Sequence, residues 1–110
     1  MTRGFAMLVL IAAALLEAGG DALVRVGLRT PGLWARAAWF AAAAVMLFAY
    51  GWTVNAPRWD FGRLLGIYVV LFFLTAQLIS WIAFGEAPSK AILVGGALIV
   101  SGGLVVAWGS

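Results

Sequence analysis

Residues 5–26 read FAMLVLIAAALLEAGGDALVRV, and this stretch decides the fold. From Phe5 to Leu16 it carries no charge; then comes Glu17, and the apolar run resumes through Ala18, Ala22, Leu23 and Val24. About 20 apolar residues suffice to cross the hydrocarbon core of a bilayer. Glu17 therefore falls near the middle of a membrane-spanning helix. A carboxylate at that depth costs roughly 2.5–3.5 kcal/mol on translocon-insertion scales. Nothing adjacent in the sequence offsets the cost, so Glu17 reads as a functional group, a site for protons or cations. The stretch does not read as a cleaved signal. It is too long, it holds Glu17 and Asp21, and no small-residue cleavage pattern follows it.

The rest of the chain agrees. Of its 110 residues 65% are hydrophobic and 10% charged, with a mean hydropathy of +1.10. A soluble domain carries about 45–50% apolar and about 25% charged residues. There is no Cys, hence no disulfide framework and no thiolate metal site. There is no His, which removes the usual acid/base group at neutral pH. Proton handling must fall on carboxylates. The net charge of +3 makes no nucleic-acid patch, because the Arg residues lie singly near segment ends. No nucleotide loop, nucleophilic triad, metal motif or dinucleotide fingerprint is present, so no enzyme and no cofactor is expected. Without an ATP site, active transport would need an ion gradient.

Four segments are long enough to span: about 5–26, 35–54, 64–84 and 91–108. The breaks hold turn residues, Arg29-Thr30-Pro31-Gly32, Asn55-Ala56-Pro57 and Gly85-Glu86-Ala87-Pro88-Ser89. Trp34, Trp59 and Trp108 fall near segment ends, where indole suits the headgroup region. The expected fold is all-α and integral to the membrane: one four-helix domain over residues 1–110, multi-pass in the cell inner (plasma) membrane. Basic residues barely orient it. Arg3, Arg58 and Arg63 lie on one side, and Arg25, Arg29, Arg36 and Lys90 on the other. The positive-inside rule needs an excess on one side. A near-even count fits either a weakly biased chain oriented by other features or, the sharper reading, dual topology with copies inserted both ways. Four helices also leave little interior for a guarded path, which points to an antiparallel homodimer. In the fourth segment Gly95 and Gly102 are seven apart, as are Gly96 and Gly103. Small residues so spaced let helix backbones approach in lipid, which makes these four the expected dimer seam, with Gly103 alternatively facing the subunit's own helices.

These residues together resemble the small multidrug resistance family, four-helix members of the drug/metabolite transporter superfamily. Its first-helix pattern of an embedded Glu, a Gly three on and a Lys eight on corresponds to Glu17, Gly20 and Arg25. Its third-helix pattern corresponds to Gly62, Tyr68 and Ser80-Trp81, followed by Phe84-Gly85, and its fourth-helix glycines to Gly95 and Gly102. The chain departs at the family's aromatic positions, with Leu65 and Tyr68 in the third helix and Val45 and Phe48 in the second. It is similar as well to the YnfA-like four-helix membrane proteins, through Glu17-Ala18-Gly19-Gly20 and Phe61-Gly62-Arg63. That family's Tyr-rich, double-Gly stretch is missing between Leu65 and Val70.

The resemblance implies proton-coupled export of small organic cations, quaternary ammonium or guanidinium-like. The substrate/proton site it implies comprises Glu17, Tyr68, Asp21 and Gly20; the partners are the cation, protons, the lipid bilayer and a second copy. Asp21, one turn beyond Glu17, shares its face. It either tunes or relays the proton, or forms an i,i+4 ion pair with Arg25, the simpler reading. Trp81 reads as packing or interfacial, and Gln77 as a hydrogen-bonding tie between helices. Two rival functions stand: a non-transporting membrane subunit in which Glu17 pairs with a partner's buried cation, and half of a lipid-carrier flippase.

Overall fold

The computed structural model describes residues 2–109. They form four helices: α1 Arg3–Leu28, α2 Leu33–Val54, α3 Phe61–Phe84 and α4 Lys90–Gly109. All four are long and apolar enough to cross a membrane. The helices match the expected segments. Three of them begin two or three residues early, α1 at a Thr2 cap and α2 and α3 with no side-chain cap.

Four of the helix ends are closed by identifiable residues. Thr2 accepts at Oγ1 from the Phe5 amide at 3.1 Å and starts α1. Ser89 does the same for Ile92 at 3.2 Å and starts α4. At the end of α2 the Asn55 side-chain amide donates to the Gly51 carbonyl at 2.8 Å. The α3 end is a Schellman turn, in which the Gly85 amide donates to the Trp81 carbonyl and the Glu86 amide to that of Ser80. Gly85 stands at φ 67°, a conformation that disfavours any side chain.

In space the order is α2, α1, α3, α4, with the principal contacts between α1 and α2, α1 and α3, and α3 and α4. The molecule is a thin slab with extents of 50 × 34 × 19 Å. Leu10, Ala13 and Ala14 of α1 meet Leu64, Ile67 and Tyr68 of α3 in the buried core. Small residues on α1 admit α2 closely. A Cβ on Gly20 would collide with Leu47, and one on Gly27 with Phe40. Gly20, expected at the substrate site, is therefore buried in helix packing, because only a hydrogen fits beneath Leu47.

The glycine pairs of α4 divide. Gly96 and Gly103 are buried, and a Cβ there would collide with Phe73 and Val70 of α3. Gly95 and Gly102 have open space where a Cβ would be. The expected four-glycine seam is thus corrected to one pair facing outward. The other is occupied by the subunit's own third helix.

Candidate functional site

Glu17 and Tyr68 meet across the α1–α3 contact. The Tyr68 hydroxyl donates to Glu17 Oε1 at 2.8 Å. Tyr68 is buried, with only 3% of its surface exposed, while Glu17 is half-buried. The Tyr68 ring lies 5.7 Å from that of Tyr50 on α2 and 6.1 Å from that of Phe72 on α3. Three helices therefore supply the site: α1 the carboxylate, α3 the hydroxyl and a stacking ring, α2 a second phenol. Aromatic faces beside a carboxylate suit a cation, which the ring quadrupole and the charge both attract.

Tyr50 escaped the sequence reading, which placed the second helix's share at Val45 and Phe48. Those two are exposed on the outer face of α2. The register differs from the family pattern because Gly20 and Gly27 set how α2 lies on α1. One signal was available: the chain has only two tyrosines, and both come to this place.

Asp21 is exposed at a groove of about 160 Å³ between α1 and α3. The groove is lined by Ala18, Asp21, Ala22 and Arg25 from α1 and by Phe72, Ala76, Ile79, Ser80 and Phe84 from α3. The expected Asp21–Arg25 pair does not form. Arg25 reaches instead to Glu86 in the loop after α3, at 3.2 and 3.3 Å. A two-pronged guanidinium contact with a carboxylate outcompetes an i,i+4 contact, which leaves Asp21 facing the groove. Trp81, expected to be packing or interfacial, is exposed over 57% of its surface. Gln77 lines a wider opening of about 500 Å³ between α3 and α4, together with Ser101.

A membrane protein of the UPF0060 family from Herpetosiphon aurantiacus is 30% identical to this chain over 104 residues, which cover 92% of the chain and 91% of the relative. The chain belongs to the UPF0060 family. These are the YnfA-like four-helix membrane proteins, to which Glu17-Ala18-Gly19-Gly20 and Phe61-Gly62-Arg63 pointed. No family model matches the chain. No solved structure matches it. The likeness to the small multidrug resistance family remains a resemblance of motifs. UPF0060 kinship makes this a multi-pass membrane protein and assigns it no activity.

Proposed function

We propose that this protein is a proton-coupled exporter of small organic cations, working as a homodimer in the inner (plasma) membrane. The observation that carries the reading is the Tyr68–Glu17 hydrogen bond between α1 and α3, amid the rings of Tyr50 and Phe72. A carboxylate in apolar surroundings favours its neutral form, and a cation beside it favours the ionised form. A proton and an organic cation therefore compete for Glu17. Taking up the cation releases the proton to water, and taking the proton back releases the cation. Exchange becomes transport when the site faces one side of the membrane at a time.

A second copy supports that alternation. The slab is only 19 Å through its thin direction, and Glu17 remains half-buried within it. An antiparallel partner would bring a second Glu17 to the same depth and relate the two openings by symmetry, as inverted repeats do in larger transporters. The outward glycines of α4 supply a face for close approach.

The test is reconstitution of the purified protein in liposomes with a panel of guanidinium and quaternary ammonium compounds, reading proton flux. Addition of a substrate should release protons in the wild type, and Glu17→Gln should abolish the release while the protein stays folded. Undiminished release in Glu17→Gln would sink the proposal. Loss of membrane assembly in that variant, with no flux in the wild type, would favour the structural-subunit role instead.

A further inference from the structure

The α1–α3 groove runs towards the first and third loops, and one of the chain's own cations, Arg25, lines its mouth there. Arg25 lies with its guanidinium carbon 4.6 Å from the centre of the Phe84 ring. Its two terminal nitrogens donate to the two carboxylate oxygens of Glu86 at 3.2 and 3.3 Å. The carboxylate is held by groups other than Arg25. The Schellman turn at Gly85 folds Glu86 back over the helix end, its amide bonded to the Ser80 carbonyl at 3.0 Å. The Ser80 hydroxyl then donates to Glu86 Oε1 at 3.3 Å. Glu86, Ser80 and Phe84 thus form a cation receptor built by the end of α3 alone. Its occupant comes from α1.

We propose that this receptor is an outer binding site for guanidinium compounds, that Arg25 is its tethered occupant, and that an incoming guanidinium displaces Arg25 to enter the groove. The class of ligand follows from the occupant: a planar fork on a carboxylate, stacked against a ring, is a geometry that a point-charge ammonium does not reproduce. Displacement is feasible because the latch is weak. The Arg25 and Glu86 side chains are 39% and 49% exposed, and an ion pair so exposed contributes little. Beyond the mouth the groove continues to Asp21 and Ala18. Asp21 is unoccupied by Arg25 and lies one helical turn from Glu17 on the same face. A cation leaving the mouth would meet carboxylates in the order Glu86, Asp21, Glu17. The outer site stands on its own contacts; only the onward path to Glu17 rests on the export proposal above.

The test is a titration of methylguanidinium into the full-length protein in lipid nanodiscs, followed by nuclear magnetic resonance of the Gly85 and Glu86 amides and of the Arg25 Nε–H. In the wild type all three signals should move and saturate, with the Arg25 signal moving towards its position in Glu86→Gln. Arg25→Gln should tighten binding at the two amides by about three- to tenfold, the strength of an exposed ion pair and a cation–π contact that no longer compete. Glu86→Gln should remove the response at both amides. Glu17→Gln should leave the outer site's affinity as it was, so that loss of proton coupling and loss of this site are separate results. Wild-type affinity in Arg25→Gln, an unmoved Arg25 signal at saturation, or a full response in Glu86→Gln would overturn the proposal. The wild-type Arg25 signal decides even where a variant does not fold.

Discussion

Tyr68 and Glu17 are 51 residues apart in the chain and share one hydrogen bond. Within a bilayer the alternative for the Glu17 carboxylate is hydrocarbon, so a donor held by a buried ring has a clear physical role. Interhelical hydrogen bonds in membranes are worth about 0.6 kcal/mol on average and about 1.7 at most. Tyr68→Phe keeps the ring and removes only the hydroxyl. On the export proposal it should weaken cation binding by about threefold to tenfold, while substrate-driven proton release persists, because the Glu17 carboxyl is still present. Isothermal titration against the same panel of cations checks this; unchanged affinity would show that the hydroxyl does not set the site. Tyr68→Ala is a different experiment. It empties a position only 3% exposed and should cost about 3–5 kcal/mol of stability, read as a lower midpoint of thermal unfolding in detergent.

At the scale of the helix, the two glycine pairs of α4 offer opposite predictions from neighbouring residues. Gly103 lies against Val70, where a Cβ would collide, so Gly103→Leu should separate α4 from α3 within one subunit. Gly102 has nothing within reach of a Cβ, so Gly102→Leu should leave the packing within one subunit, read as the unfolding midpoint of the detergent-isolated monomer, unchanged. If the outward pair is the seam, Gly102→Leu should weaken self-association, and transport with it, more than a Leu at Ala107. Single-molecule association in bilayers and thermal unfolding, run on both variants, separate the two effects. Association of Gly102→Leu at wild-type strength would rule out that face. The α3 end carries a third expectation. Gly85→Ala forces a side chain into a left-handed conformation, at about 1–2 kcal/mol. It should loosen Glu86 from Ser80, visible as a shift of the Glu86 amide resonance.

Across the whole molecule, the balance of three basic residues against four leaves orientation nearly undetermined. Arg25 lies within α1 and is drawn to Glu86, so its charge is partly answered and the effective count is closer still. Reporters fused to the C-terminus should therefore report from both sides of the membrane. Two Lys added to the third loop should bias insertion to one orientation and reduce export when that variant is expressed alone. A single orientation of the unmodified chain would exclude an antiparallel dimer. The thin shape bears on the same point: with α2 and α4 at opposite edges and α1 and α3 between them, one subunit does not enclose Glu17.

The number of helices and their membrane character were legible in the chain, and Glu17 stood out in it as the candidate group. Length and hydropathy decide the first two, because a bilayer admits backbone only where its hydrogen bonds close within the segment. The depth of its carboxylate in an apolar run is what singles out Glu17 as a candidate. The end of α3 before Gly85 was legible too, and the start of α4 after Ser89 to within one residue, whereas hydropathy missed the other three starts by two or three residues. Which residues Glu17, Arg25 and the glycines would meet was not legible. Those partners depend on the rotation of one helix against another, and rotation is set by the fit of glycines such as Gly20, Gly27 and Gly103 beneath bulky neighbours. A heptad of glycines has the same spacing whether it faces lipid, a second copy or the next helix. Tyr50 entered the site and Val45 left it for that reason, and Arg25 passed over its near neighbour Asp21 for Glu86, 61 residues away. Periodicity determines that a helix has a face; only tertiary packing decides what that face touches.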